Sequence, residues 1–158
     1  MADGKTVGKN IKAMSVNLEV NGMTYAKELS KAALSELIDA TPVDTSAALS
    51  NWQVGINNRP RNQIPAYVIG KRGSTRAASA AATRAAGYSK INLAKLGNWI
   101  YIRSTSPYMG KLNAGYSPQA DPGFVKEAVR QALLRVRKRK RKFLNKPRAY
   151  IYGGADGD

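Results

Sequence analysis

Thr41–Val54 reads TPVDTSAALSNWQV, and the fold turns on it, because a helix end, a turn and a strand start meet there. Pro42 disfavours the α region for Thr41, so the preceding helix runs out at Asp39 and Ala40. Asp44, Thr45 and Ser46 each carry a side-chain oxygen that can fold back onto neighbouring backbone N–H groups. That chemistry favours a tight turn or a short capped helical turn. From Trp52 the period changes to two, with Trp52, Val54 and Ile56 on one face and Gln53, Gly55 and Asn57 on the other. The segment is a corner that leads a helix into a sheet.

Upstream, Tyr25, Leu29, Ala33 and Leu37 recur every fourth residue, and Leu34 and Ile38 widen the apolar face to suit packing on a sheet. Thr24 can cap this helix. Before it, Asn21-Gly22 marks a turn, and Met14, Val16, Leu18 and Val20 alternate with polar residues as in a half-buried strand. Residues 1–12 are polar and read as a flexible arm.

Downstream, Asn57 to Pro60 breaks the first strand, and Ile64 to Ile69, with Pro65, predicts a short edge strand in a hairpin. Ser74 precedes an alanine-rich helix that Gly87 is expected to divide. Asn98 to Thr105 is apolar on both faces, as in a strand covered on both sides. Pro107 to Asp121 is too rich in Pro, Gly, Ser and Asn to be regular. Asp121-Pro122 predicts a helix start, and Val125, Val129, Ala132 and Val136 form the apolar stripe that follows. The helix is expected to leave the core where charge accumulates at Arg135, and to end at Asn145 and Pro147, with Tyr150, Ile151 and Tyr152 as a last edge strand. The predicted architecture is α+β: a small antiparallel β-sheet flanked by an N-terminal helix, an Ala-rich helix and a basic C-terminal helix. One domain spans residues 13–152, followed by a tail at 153–158.

Two blocks carry a resemblance. The first is Thr41-Pro42-Val43-Asp44-Thr45 with Leu49 and Trp52. The second is Pro107-Tyr108, Leu112-Asn113, Gly115-Tyr116-Ser117, Gln119-Ala120 and Pro122-Gly123-Phe124-Val125. In this order, with a strand from Trp99 to Arg103 between them, they resemble the tail-component family of tailed bacteriophages typified by the HK97 gp10-like proteins. Two positions depart from the pattern. Ser46 stands where the family usually carries Gly, and Asp121 where it often has Pro or another small residue. The resemblance implies a structural virion protein, a neck or tail-completion subunit at the head-to-tail junction, assembled in the bacterial cytoplasm. It also implies a cyclic homo-oligomer, hexameric or dodecameric, touching adjacent connector and tail proteins. In such a ring each subunit offers two different surfaces.

Composition bounds the chemistry. A chain of 158 residues with 43% hydrophobic and 23% charged residues suits one folded domain. With neither Cys nor His, thiol nucleophiles, disulfides, Cys/His zinc sites and Ser/His/Asp catalysis are excluded. The carboxylates Asp3, Glu19, Glu28, Glu36, Asp39, Asp44, Asp121, Glu127, Asp156 and Asp158 form no spaced metal motif, and Gly70 to Gly73 lacks the spacing of a phosphate loop. Neither an enzyme nor a cofactor is expected. The N-terminus lacks a secretory pattern, and no stretch is apolar enough to span a bilayer, so no membrane partner is expected.

The net charge of +16 demands an anionic partner. Arg135, Arg137, Lys138, Arg139, Lys140, Arg141 and Lys142 are the candidate contacts. Their charges point all round a helix, which argues against reading one groove of a duplex and leaves two uses. The first is to neutralise an acidic neighbour in an assembly. The second is sequence-independent contact with DNA phosphates. Trp52 and Trp99 both sit in period-two apolar patterns and are expected in the core rather than as stacking platforms for bases. The alternatives to a neck subunit are a free basic nucleic-acid-binding protein and a tail terminator or tail-tube component.

Overall fold

The computed structural model describes the backbone of residues 4–144 and the side chains of residues 22–140. Helix α1, Gly4–Ala40, leads into a short helix α2, Ala47–Ser50, and strand β1, Trp52–Ile56. Helix α3, Arg76–Leu93, strand β2, Ile100–Ser104, a short helix α4, Met109–Asn113, and helix α5, Phe124–Leu144, complete the order. The two strands pair antiparallel, Trp52 opposite Ser104, Val54 opposite Ile102 and Ile56 opposite Ile100, so the chain is an α+β protein with a two-stranded sheet.

The core lies where α1 and α3 meet the inner face of this sheet, with α5 packed against α1. Leu34 and Ile38 of α1, Leu49 of α2, Val54 of β1 and Ile91 of α3 are almost wholly excluded from water, joined by Val43, Trp52 and Phe124. Each such Leu or Ile contributes about 1.5–3 kcal/mol through burial. Arg84 of α3 reaches Ser35 and pairs with Asp39, while Lys27 donates to the Asn92 carbonyl at 2.8 Å, so α3 runs antiparallel to α1. Helix α5 does the same on α1: Arg135 pairs with Glu36, and Lys140 Nζ lies 4.7 Å from the ring centre of Tyr25.

The helix stop before Pro42, a short helical turn and β1 form as their residues predict. Asp44 and Ser46, however, turn their side-chain oxygens to the Arg72 N–H and to Thr75 rather than to neighbouring backbone N–H groups, and Ser46 caps α2 without a side-chain bond. Elsewhere the structure departs from local pattern. Met14 to Val20 is helix rather than strand, and so are residues 4–12, where an arm was expected. Thr24 and Asn21-Gly22 lie inside α1 instead of capping or breaking it. Adding turns to an existing helix requires no new nucleation, so the helix propagates through the alternating run. The two-stranded sheet also overturns the expectation for the second strand: Ile100 and Ile102 pack on the core, but among the described residues no further layer closes the outer face.

No strand forms over Ile64 to Ile69. Side chains satisfy that segment instead of a ladder. The Asn51 amide donates to the Ile64 carbonyl and accepts from the Ile64 N–H, both at 2.9 Å, in imitation of a neighbouring strand. Ser50 Oγ accepts from the Tyr67 N–H, and Ser79 Oγ accepts from the Val68 N–H and donates to its carbonyl.

Gly87 does not divide the alanine-rich helix, which is continuous. A Cβ at Gly87 would fall well inside contact distance of Leu34 Cδ2 and 3.2 Å from Val54 Cγ2. The glycine lets three elements approach one another.

Helix α5 starts at Phe124, after Gly123 at φ +78°, and its cap is Asn113 rather than Asp121: Asn113 Oδ1 accepts from the Val125 N–H at 3.1 Å. Its buried stripe is Phe124, Ala128, Ala132 and Val136, with Val125 half-buried and Val129 exposed. Val136 is only 2% exposed, so the helix does not leave the core at Arg135. The expected edge strand at Tyr150 to Tyr152, the residues expected to end the helix and the tail at 153–158 lie outside the described residues, as do residues 1–3.

Candidate functional site

The two sequence blocks that carry the resemblance are far apart in the chain and meet in space. The first is locked from beneath: Thr41 Oγ1 donates to the Leu37 carbonyl at 2.6 Å and accepts from Trp52 Nε1 at 2.8 Å, both inside the core. This pair ties the helix end to the first residue of β1 and fixes the direction in which Pro42 and Val43 leave. Asp44 then holds the loop before α3, accepting the Arg72 N–H on Oδ1 at 2.8 Å and the Gly73 N–H on its carbonyl at 2.9 Å. Ser46 takes the left-handed conformation, φ 66°, and its Oγ lies 3.0 Å from Thr75 Oγ1. A non-glycine residue held there carries strain of about 1–2 kcal/mol.

The second block closes over the first. Gln119 Oε1 accepts the Val43 N–H at 2.9 Å. Gly115, at φ +95°, turns the chain so tightly that a Cβ would come 2.8 Å from Pro122 Cγ. Ser117 Oγ accepts from the Gln119 N–H at 3.3 Å and steadies the reach of that side chain. Between the blocks lies a groove of about 380 Å³. Pro42, Val43, Ala48 and Leu112 give it an apolar floor, and Tyr108 and Tyr116, 60% and 79% exposed, stand with Lys111 on its rim. Apolar floor, exposed tyrosines and one cation are the ingredients of a protein-docking pocket.

Not every residue of the blocks reaches the groove. Thr41, Leu49, Trp52 and Phe124 are core residues, Pro107 is exposed outside it, and Gly123 acts through its backbone at the start of α5.

The basic residues form a separate surface. Arg137, Lys138, Arg139 and Lys140 are exposed along α5, and an opening of about 810 Å³ lies between that helix and Glu36. Arg135 sets its charge against Glu36 Oε1, an oxygen on which no hydrogen-bond donor is aligned, so the contact is an ion pair without a directed bond. The side chains of Arg141 and Lys142 lie outside the described residues. Nearer the start of α5, hydrogen bonds from Arg130 and then Gln131 hold the Glu127 carboxyl down at about 2.

Trp99 is 71% exposed, which overturns its expected place in the core, while Trp52 is buried as its pattern predicts. Leu93 and Leu96 are exposed with it. The alternation of β2 gave no warning, because two apolar faces look alike in sequence whether or not a second layer covers them.

Among the described residues no group of His, Cys, Asp or Glu is placed to hold a metal ion, and no helix is long and apolar enough to cross a membrane. Compared with models of known families, with curated proteins and with solved structures, the chain matches none.

Proposed function

We propose that this protein is a structural subunit of a tailed-bacteriophage virion, a neck or tail-completion protein that joins copies of itself in a ring at the head-to-tail junction. The observation that carries the reading is the groove: the two blocks resembling the phage family are joined by the Val43–Gln119 hydrogen bond and together build one apolar pocket rimmed by exposed tyrosines. Tyr108 and Tyr116 face outward with Lys111 between them in the chain, where they can contact a partner. The groove receives a neighbouring subunit or an adjacent connector or tail protein, and the exposed cations of α5 meet an acidic protein surface or the DNA that passes the joint.

The test is immunogold labelling of intact particles with an antibody against this chain. Gold at the head-to-tail joint supports the neck reading, and gold along the shaft moves the protein to the tail tube. Unlabelled particles, with the protein found free and bound to DNA at physiological salt, would replace the reading with that of a free nucleic-acid-binding protein. Within particles, Tyr108→Ala with Tyr116→Ala should leave the fold unchanged and reduce incorporation.

A further inference from the structure

Two bonds that flank the β1–β2 ladder fix which way each backbone group of β2 points. The Asn57 N–H donates to the Trp99 carbonyl at 2.8 Å, and the Thr105 N–H donates to the Asn51 carbonyl at 3.0 Å. With the register unbroken from Trp52–Ser104 to Ile56–Ile100, the pairs that exchange backbone bonds are then Gln53–Arg103 and Gly55–Tyr101. The N–H and C=O groups of Ile100, Ile102 and Ser104 turn the other way, to the side of β2 that has no neighbouring strand. Among the described residues none of these groups makes a hydrogen bond. Burial agrees: Val54 is 1% exposed, whereas its partner Ile102, and Ile100, are only half-buried although they face the same core. Edge strands are commonly shielded by lysine, proline or a bulge. Ile100–Ser104, IYIRS, has none of the three.

The outward face beside this edge is cationic. After β1 the chain folds back as a strap: Gln53 Nε2 donates to the Asn62 carbonyl at 2.8 Å, Arg103 Nη1 donates to the Pro60 carbonyl at 3.2 Å, and Gly55 lacks the Cβ that would meet Pro60. The strap sets the Arg59 guanidinium 5.3 Å from the ring centre of Tyr101 and carries exposed Arg61 between Pro60 and Asn62. Among the described residues Arg59, Arg61 and Arg103 form no salt bridge, and the chain has no acidic residue between Asp44 and Asp121. A strand added at the edge would set alternate side chains beside Tyr101 and Arg103 on this face, and the others beside Ile100 and Ile102. The first set meets cations and the second an apolar margin.

We infer that the free edge of β2 takes up an extended segment of a partner protein as a third strand, one in which acidic residues alternate with apolar ones. Backbone bonds to Ile100, Ile102 and Ser104 attach it, and the arginines select its sequence. A second copy is the poorer occupant of this edge: each chain carries +16, and pairing β2 with β2 gathers both copies' Arg103 on one face with no acid to offset them. The edge shares no residue with the groove between the two blocks, and its use does not depend on the virion reading.

The probe is a capped peptide of about seven residues alternating valine and glutamate, roughly one strand long, and the readout is amide hydrogen exchange by NMR in the full chain. In the free protein the Tyr101 and Arg103 N–H groups should be protected, while those of Ile100, Ile102 and Ser104 exchange freely. The peptide should slow the latter three. A peptide with lysine in place of glutamate should not, and neither should the glutamate peptide N-methylated at its valines, whose N–H groups would face β2. Arg61→Glu with Arg103→Glu, both exposed positions, should reverse the preference between the glutamate and lysine peptides at unchanged far-UV circular dichroism, each cross-strand charge pair contributing up to about fivefold in affinity. Protection of the three N–H groups before peptide is added overturns the inference, and protection that grows with protein concentration assigns the edge to a second copy instead. It also fails if the glutamate peptide leaves them exchanging freely, if the lysine or N-methylated peptide protects them equally well, or if the charge reversal leaves the preference unchanged.

Discussion

Gly22 and Gly87 both sit inside helices, and replacing each with alanine separates helix propensity from packing. In a helix interior Gly→Ala gains about 1 kcal/mol. At Gly22 of α1 a Cβ would meet nothing within 4 Å, so Gly22→Ala should stabilise by about 1 kcal/mol. At Gly87 the same gain is opposed by a Cβ pressed against Leu34, which is 0% exposed, and Val54, which is 1% exposed. Leu34 is a flexible side chain but wholly buried, and overpacking a close-packed core costs about 1–3 kcal/mol. Gly87→Ala should therefore range from neutral to about 2 kcal/mol destabilising. Because propensity cancels between the two, the difference between the variants isolates the steric penalty at about 1–3 kcal/mol. The assay is urea denaturation followed by circular dichroism, with midpoints compared at equal slope. A Gly22→Ala variant less stable than the parent would mean that Asn21-Gly22 is a turn after all. A Gly87→Ala variant as stabilised as Gly22→Ala would mean that α3 does not approach α1 and β1 as described.

Ser46→Gly relieves the left-handed strain but loses the contact with Thr75, two effects of about 1 kcal/mol each, so stability should barely change. Ser46→Ala keeps the strain, loses the contact and should fall about 1 kcal/mol below Ser46→Gly in the same denaturation assay. Asn51→Ala removes the amide that holds Ile64 on both backbone groups, and should destabilise by about 2–3 kcal/mol, with faster hydrogen exchange at the Ile64 N–H. The Glu127 carboxyl is held at about 2, below its ordinary 4.5, so the stability it contributes is complete above the ordinary range and is lost as pH falls from about 4.5 towards 2. A carboxyl NMR titration should place its midpoint low and move it upward in Arg130→Ala and in molar salt, as expected for an exposed pair; an unmoved midpoint in Arg130→Ala would refute the assignment.

What the sequence determined by itself is what short-range sterics and local periodicity control. Pro42 forbids its helix from continuing, Trp52, Val54 and Ile56 alternate beside a real strand partner, and the apolar fourfold repeat from Tyr25 to Leu37 marks the helix that the core is built on. The two blocks were legible too, but not that Gln119 would reach the Val43 N–H, since no local rule brings together residues so far apart in the chain. Tertiary structure decided the rest. Met14 to Val20 alternates like a strand and becomes helix because extending α1 needs no new nucleation, and Ile64 to Ile69 remains a loop because Asn51, Ser50 and Ser79 supply the bonds a ladder would have given. Gly87 looked like a break and is a close contact among three elements, a distinction that exists only once they are packed. Trp99 looked like core and faces outward, because burial depends on whether another layer lies above the strand, and a strand's own sequence cannot supply that layer.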